Sequence, residues 1–493
     1  MAFKELIKTK SDLEDIAQAM HDEIKDSKTK VIYRCFRLLT TGAHFIDGKK
    51  TCWTNRSCNL NKEDMDSGIY FTTNSDDVFK HNLKQISTSG ALTGCRFKFL
   101  QKEIPLPEDK LIFYEKNPSH INFYDEEFQD FTKEHKDVKI TRWLTIEQKI
   151  VVNSKGGIKI QSIPFFHISY AQGYNPLDVN RHIGVACNSK EEMKNLYNII
   201  KYLPDPTPDK RIRNANTFFK ALNEIYNVSS KIECKNLRQG IYDIVILNGV
   251  PIHEIFGHHF EEPIRCLNFG ESNPFRIMQR LKNVNLLLKD DANTTIAEFR
   301  PIGFTYFDAY GRKRESKTHI ENGQVNEFLG SEYADLEKLN DYMGIGNGSR
   351  PGNASQFIDG MFPQSRMSCT VLDGITKNLD LEEKLIMIPQ SGDTDSDLKT
   401  FRLTSHECYI LNNSELQRIP PVQVTGGILN ALSNLELLED HSYSIGMCAK
   451  PEPICFKRKA EVPVSQFVRA QLWREQQVFP LPIPESYIQS LQK

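Results

Sequence analysis

The sequence predicts an α+β protein whose second half is rich in antiparallel strands. A charged segment of helical character covers residues 1–30, a β-hairpin is indicated at residues 146–163, and signals for tight turns recur after residue 300. Strands joined by short turns pair antiparallel, and helices and hairpins in separate stretches are typical of the α+β class. The 493 residues are enough for two or three domains.

The hairpin is predicted from two apolar stretches, Ile146–Val152 and Ile158–Ile163, joined by a turn at Asn153–Gly157. Beyond it, Ser189 and Glu192 form a capping box at the start of an amphipathic helix. The first part of the chain therefore combines strands and helices.

A domain boundary is predicted where three prolines fall between Leu203 and Asp209, since proline cannot continue a helix. The predicted domains are residues 1–205 and residues 206–493. The second begins with an amphipathic helix over 215–226 and then becomes rich in strands. Turn signals that support antiparallel pairing occur at Asp308–Gly311, Asn322–Gly323 and Asn412–Asn413.

Composition excludes some classes of function. The formal net charge of −2 gives no basic field for a nucleic-acid partner. No run approaches the roughly 18 apolar residues of a membrane span, and the first residues lack the apolar core of a signal peptide. The eleven cysteines include no Cys-x-x-Cys pair. We therefore expect a cytoplasmic protein without nucleic-acid or membrane partners.

A short segment after the apolar stretch at residues 241–247 has the composition of a metal site. A helix predicted to begin near Pro251 carries His253, Glu254 and His258. Imidazoles are zinc ligands, and a neighbouring carboxylate can act as the base that activates water. The alternative is a surface helix that happens to be rich in histidine.

The spacing of the two histidines places a demand on the backbone. His258 follows His253 by five residues, which on a regular α-helix turns the side chains about 140° apart. An i→i+5 hydrogen bond, as in a π-helical turn, would align them. Gly257 tolerates such a distortion or a close approach. His259 points further away and is predicted to lie behind the site or at the surface.

The pattern His-Glu-x-x-Gly-His-x-x-Glu after an apolar strand resembles the TldD/PmbA family of metallopeptidases. The resemblance covers roughly residues 140–480. Segments similar to family motifs are Asn153–Gly157, Phe307–Gly311, Gly348–Pro351, Pro363–Met367, Gly446–Lys450 and Val462–Ser465. Some positions depart from the family pattern: Ala309 and Tyr310 replace acidic residues, Ala449 replaces a glycine, and Pro263 replaces an acidic residue.

The resemblance implies an N-terminal α/β domain followed by a C-terminal antiparallel β-rich domain that carries the metal helix. It implies a zinc-dependent peptidase with Zn²⁺ held by His253, His258 and Cys448, and with Glu254 as the general base. Without the resemblance, Cys448 has no distinction from the other ten cysteines. The family also implies a homodimer, or a heterodimer with a sibling that lacks the metal motif, acting on short or unfolded peptides.

Four further residues are candidates for supporting roles. Glu261 is a candidate to orient a ligand histidine or to bind a substrate amine, and His259 a candidate to lie behind the ligands. Arg350 and Arg366 flank a long polar loop that is a candidate substrate contact.

Two alternatives to a peptidase stay open. The chain could be a non-catalytic, zinc-stabilised peptide-binding subunit of a TldD/PmbA-type complex, which a fourth protein ligand would favour. It could also be a metal-dependent amidase, because hydrolysis of a non-peptide amide uses the same chemistry.

Overall fold

The computed structural model describes residues 7–66, 69–74, 95–96, 106–115, 124–172, 179–186, 226–227, 237–261, 273–276, 278–291, 294, 300–329, 355–356, 364–378, 381–395, 397–412, 415–451 and 459–482. Within these residues the chain has an α+β fold with two large β-sheets and a few short helices, which confirms the fold class at that level.

The strands are β1 Val31–Ile46, β2 Lys49–Asp64, β3 Ile69–Asn74, β4 Cys95–Arg96, β5 Lys110–Tyr114, β6 Val138–Asn153, β7 Ile158–Gln172, β8 Val179–Ala186, β9 Gly240–Ile246, β10 Leu286–Asp290, β11 Arg300–Pro301, β12 Lys317–Glu321, β13 Gln324–Val325, β14 Ser355–Gln356, β15 Gln364–Ser365, β16 Cys369–Gly374, β17 Leu385–Met387, β18 Ser391–Asp395, β19 Thr400–Ser405, β20 Cys408–Asn412, β21 Glu415–Ile419, β22 Val422–Gly427, β23 Leu435–Pro451 and β24 Lys459–Pro480. The helices are α1 Lys10–Ile24, α2 Asp125–Glu134, a π-helical turn Ile252–Gly257, α3 His258–Glu261 and α4 Ile428–Ser433.

In the described residues the first sheet has nine strands in the order β11-β8-β7-β6-β1-β2-β3-β4, with β5 paired to β7. All its pairs are antiparallel except β5–β7. The predicted hairpin is confirmed as β6 and β7, whose turn is closed by the side chain of Asn153, which accepts from the N–H groups of Lys155 and Gly157. The edge strand β11 joins this sheet from beyond the predicted domain boundary.

Helix α1 confirms the helical prediction for the start of the chain. Thr9 and Asp12 form a reciprocal capping box that satisfies two otherwise unpaired backbone N–H groups. The helix buries one face against the first sheet, because its apolar residues recur at helical spacing. The buried residues are Leu13, Ala17, Met20 and Ile24.

The second sheet, with thirteen strands among the residues that the structure describes, holds the predicted metal segment. Its main path is β13-β12-β10-β16-β24-β9-β17-β20-β21. The long strand β24 lies at the centre and pairs with β9, β16, β22 and β23. Two pairs, β16–β24 and β9–β17, are parallel, whereas the other described pairs are antiparallel. The predicted turn at Asn322–Gly323 is confirmed between β12 and β13.

Several predictions fall outside the described residues: the helix from Ser189, the proline-rich segment 203–209, nearly all of the helix at 215–226, and Arg350. None of the helices in the described part of the chain is long and apolar enough to cross a membrane.

Candidate metal centre

The turn between β9 and the π-helical turn fixes where the helical segment starts. Strand β9 ends in buried residues 244–246. Asn248 then donates from Nδ2 to the carbonyl of Pro389 at 2.8 Å, and the N–H of Gly249 donates to Ser444 Oγ at 3.0 Å. A Cβ at Gly249 would overlap the side chain of Gln466, so glycine is required for this close approach.

Residues Ile252–Gly257 form the π-helical turn that the histidine spacing predicts. The N–H of His258 donates to the carbonyl of His253, five residues earlier. The two imidazole centroids are consequently only 4.8 Å apart. Apolar burial holds this unusual turn in place, and the residues on its core face are Ile252, Ile255, Phe256 and, in α3, Phe260.

Gly257 lies where the turn is most crowded. A Cβ at this position would lie 3.1 Å from His253 Nδ1 and 3.3 Å from Met367 Sδ. The absence of a side chain therefore lets the ring of His253 and the thioether of Met367 both pack against the backbone at Gly257.

Three side chains converge as potential metal ligands: His253, His258 and Glu261. Their donor atoms all lie within 4.8 Å of one another, and they are the only such group in the residues that the structure describes. His253 is fully buried, and its Nε2 atom has no hydrogen-bond partner among those residues. A buried, unpaired imidazole nitrogen has the chemistry that a bound metal ion satisfies. The donor set therefore fits a metal such as zinc.

His258 lies between two carboxylates. Its Nε2 is 2.9 Å from Glu254 Oε2, and its Nδ1 is 3.4 Å from Glu261 Oε2. Burial raises the pKa of Glu254, but the neighbouring imidazole of His258, its hydrogen bond and His253 together lower that pKa below its ordinary value. Glu254 is therefore a carboxylate at neutral pH, as a proton acceptor must be.

Glu261 is fully buried and holds two separate parts of the chain together. Its Oε1 accepts a hydrogen bond of 2.6 Å from the N–H of Met367, while Oε2 faces His258. The contact with His258 suits the orienting role that the sequence suggests for Glu261. The carboxylate also belongs to the group of potential ligands.

The remaining candidates have different surroundings. His259 is buried with its ring edge against Phe275, and its carbonyl accepts from Asn273, so it does not join the group of ligands. Arg366 is buried, and its carbonyl accepts a hydrogen bond from Arg314. Cys448 lies in β23, in register with Val462 of β24.

Sequence reasoning did not identify Thr370, whose Oγ1 lies 2.9 Å from His253 Nδ1. From sequence, Asp290 is interpreted as part of a loop after an apolar strand rather than as a ligand, whereas in the structure it is a fully buried carboxylate that accepts from the N–H groups of Ser368 and Cys369 at 2.7 and 3.0 Å. Neither residue belongs to a motif, since each acts through a contact between distant parts of the chain. The only feature of the sequence that could have indicated them is their position, since Asp290 ends an apolar strand and Thr370 lies within another strand.

Comparison with known proteins identifies the fold of this chain. No protein-family model and no curated protein matches the chain. The structure of TldE from Thermococcus kodakarensis superimposes with a TM-score of 0.60 at 10% identity, covering 94% of this chain and 99% of TldE. Two proteins described as candidate modulators of DNA gyrase, from Thermotoga maritima and Bacteroides thetaiotaomicron, give TM-scores of 0.59 and 0.58 at 13% and 14% identity. Each of these matches covers 96% of this chain and 100% of the other. The chain therefore has the fold of the TldD/PmbA family, and the resemblance indicated by its sequence motifs is confirmed at that level.

Proposed function

We propose that the chain is a zinc-dependent peptidase of the TldD/PmbA type that hydrolyses short or unfolded peptides. The observation that carries the proposal is the group of donor atoms that His253, His258 and Glu261 bring together, beside a buried His253 Nε2 that has no hydrogen-bond partner among the described residues. The carboxylate of Glu254 stands beside them. The shared fold supports the same family of activities without identifying the reaction.

In this proposal His253 and His258 hold the metal, and Cys448 or Glu261 supplies a third ligand. Glu261 is favoured by its position in the group of potential ligands. If Cys448 is the ligand, Glu261 orients His258 through Nδ1, as outer carboxylates do for metal-bound imidazoles.

The strand register supports Cys448. Ser444 of β23, Gln466 of β24 and Thr370 of β16 form one row across three strands. The helical segment begins near this row, where the N–H of Gly249 donates to Ser444. Its last residue, Glu261, accepts from Met367, which stands three residues before Thr370. Because β23 runs antiparallel to β16, Cys448 is displaced from the row in the same direction as Met367. The backbone of Cys448 therefore lies towards the end of the segment that carries His258.

When bound at such a site, zinc lowers the pKa of a coordinated water to about 7 and polarises a carbonyl group. The protein supplies the proton acceptor. Glu254 Oε2 faces the same space as His258 Nε2, 2.9 Å away, so this oxygen can take a proton from the attacking water. The same oxygen can then deliver the proton to the departing amine. If Cys448 is the third ligand, Glu261 keeps the imidazole of His258 in place through Nδ1 during these steps.

The proposal is tested with purified protein, its zinc content and an unfolded peptide. We expect about one zinc per chain, as for a single three-ligand site, and loss of zinc in His253→Ala. A chelator and Glu254→Gln should each abolish cleavage, while Glu254→Gln keeps its zinc. Normal cleavage by Glu254→Gln would disprove the role of Glu254. Zinc retention without peptide cleavage would favour the non-catalytic alternative, and cleavage of non-peptide amides alone would favour an amidase.

Cobalt substitution distinguishes the two candidates for the third ligand. A thiolate bound to Co²⁺ gives an intense charge-transfer absorption that carboxylates do not give. If Cys448 is the ligand, this absorption is present in the native protein, disappears in Cys448→Ser and persists in Glu261→Gln. If Glu261 is the ligand, the native protein lacks the absorption, and Glu261→Gln loses cobalt affinity while Cys448→Ser does not.

The quaternary structure is part of the proposal. We expect a homodimer, or a heterodimer with a sibling that lacks the metal motif. The fold shared with TldE supports such a pair, because this chain and a TldE-like sibling would then have the same fold. Sedimentation of the protein alone and with a sibling checks it. The division at residues 205/206, the cytoplasmic location and the lack of nucleic-acid and membrane partners stay predictions.

A further inference from the structure

Thr370 connects the predicted ligand His253 to the neighbouring sheet. Its Oγ1 lies 2.9 Å from His253 Nδ1 and 3.1 Å from Met367 Sδ. Thr370 and His253 are fully buried and Met367 is almost so. The three side chains therefore hydrogen-bond to one another and not to solvent.

The direction of these hydrogen bonds follows from counting protons. The Thr370 hydroxyl has one proton, and the thioether of Met367 can only accept one. When Oγ1 donates to Met367 Sδ, its lone pairs face His253, whose Nδ1 must then carry the proton. The opposite tautomer would place an N–H at His253 Nε2, which has no partner among the described residues. Buried N–H groups without partners are rare, so this tautomer is disfavoured.

Thr370 is itself held firmly. It stands in β16 beside Gln466 of β24, and the two residues before it donate their backbone N–H groups to the buried carboxylate of Asp290. Gly257 leaves the space against which both Met367 Sδ and the ring of His253 pack. The hydroxyl therefore has little freedom to turn away from the imidazole.

We propose that Thr370 is a positioning residue that keeps His253 in the tautomer protonated at Nδ1, so that the Nε2 lone pair is available to a metal ion. The inference rests on the proposed function, because it concerns the same site. It assigns to Thr370 a role that neither motif nor spacing indicates.

The first test uses metal-free native protein, with nitrogen-15 NMR of the histidine rings at a pH where His253 is neutral. We expect Nδ1 of His253 to give the signal of a protonated nitrogen and Nε2 that of an unprotonated one. The reverse assignment would overturn the proposal, whatever any variant does. Because no variant is needed, this test does not depend on a substitution that fails to fold.

The second test compares zinc affinity, measured by competition with a chelator, among three variants. Thr370→Val removes the hydroxyl and keeps the shape, so zinc affinity should fall about 10- to 100-fold, as for other outer contacts to metal ligands. Thr370→Ser keeps the hydroxyl and should bind zinc nearly as the native protein does. Thr132→Val removes a buried hydroxyl from helix α2, where it donates to Phe128, and should leave zinc affinity unchanged.

The outcomes separate the two proposals. If the native protein binds no zinc, the proposed function fails, while the tautomer measured in the metal-free protein still stands or falls by itself. If the native protein binds zinc and Thr370→Val binds it equally tightly, only the role of Thr370 is disproved. A loss in Thr370→Val that Thr370→Ser does not share supports it.

Discussion

Glu261 Oε1 accepts a hydrogen bond of 2.6 Å from the backbone N–H of Met367, although the two residues are 106 positions apart. The other oxygen of the same carboxylate lies 3.4 Å from His258 Nδ1. One buried side chain thus links the helical segment that carries the histidines to the segment that leads into β16. The geometry of the candidate metal centre depends on both segments, so changes in either segment should alter metal affinity.

The first prediction concerns this carboxylate. In Glu261→Ala the buried N–H of Met367 loses its acceptor, so the metal-free protein should be destabilised by about 1–3 kcal/mol. Glu261→Gln keeps an oxygen at this position and should lose less. Denaturant unfolding of the metal-free protein measures both changes. Equal losses in the two variants would show that the hydrogen bond to Met367 contributes nothing.

The second prediction concerns Gly257. A methyl group there would lie 3.1 Å from His253 Nδ1 and 3.3 Å from Met367 Sδ, so one of these buried groups must move. We expect Gly257→Ala to lower zinc affinity at least tenfold, because a displaced ligand loses its geometry. Chelator competition measures the change.

Gly427→Ala is the matched control for Gly257→Ala. A Cβ at Gly427 would have no neighbour closer than 3.7 Å, the side chain of Asn430, and the residue lies at the start of helix α4. It should bind zinc like the native protein. If Gly257→Ala also binds zinc normally, the close approach at Gly257 has no role in the metal site.

The π-helical turn follows from the hypothesis that both histidines bind one metal ion. His253 and His258 are five residues apart, and two ligands at that spacing can converge only if the backbone leaves α geometry. Asn153 and the following glycines similarly identify the turn between β6 and β7. In each case the requirement lies within a few residues of sequence.

The support behind the histidines was not predictable, since it comes from parts of the chain more than a hundred residues away. Thr370 is separated from His253 by 117 positions, and a threonine within a strand is ordinary for its composition. The edge strand β11 is equally hidden, because two residues have no periodicity to detect. Such contacts are decided by the packing of sheets, which a single sequence does not reveal.

The third prediction is a dependence of stability on pH from His319. Burial lowers the pKa of this imidazole to about 4, although its hydrogen bond to the carbonyl of Glu327 opposes the shift. The unfolded chain binds the proton near pH 6.5, so stability is lost as the pH falls from about 6.5 towards 4. Between pH 7 and pH 5 this residue alone should remove about 2 kcal/mol.

Denaturant unfolding at the two pH values, for native protein and His319→Asn, measures this contribution. The asparagine amide can still donate to Glu327 but does not titrate. The variant should therefore lose less stability between pH 7 and pH 5. Only the difference between the proteins is informative, because burial raises the pKa of Asp290 to about 6 and works in the opposite direction. Identical pH profiles would mean that His319 takes up its proton at the same pH in the folded and in the unfolded state.

The fourth prediction concerns Asp290 and Arg314, a fully buried pair with an N···O distance of 3.2 Å. Asp290→Asn keeps an oxygen for the N–H groups of Ser368 and Cys369 but removes the carboxylate charge that contacts the guanidinium of Arg314. Removing one partner of a buried pair costs about 3–5 kcal/mol. Replacing both residues, as in Asp290→Asn with Arg314→Met, should cost less than the sum of the single changes, because no uncompensated charge remains.

Zinc affinity of the same variants shows whether this pair supports the metal centre as well as the fold. Asp290→Asn still accepts from the residues that precede Thr370, so the hydroxyl of Thr370 should stay against His253. We therefore expect a large loss of stability with little change in zinc affinity, the opposite of Thr370→Val. If zinc affinity falls in proportion to stability in every variant, the buried segment acts on the metal only by keeping the protein folded, and no single hydrogen bond positions His253.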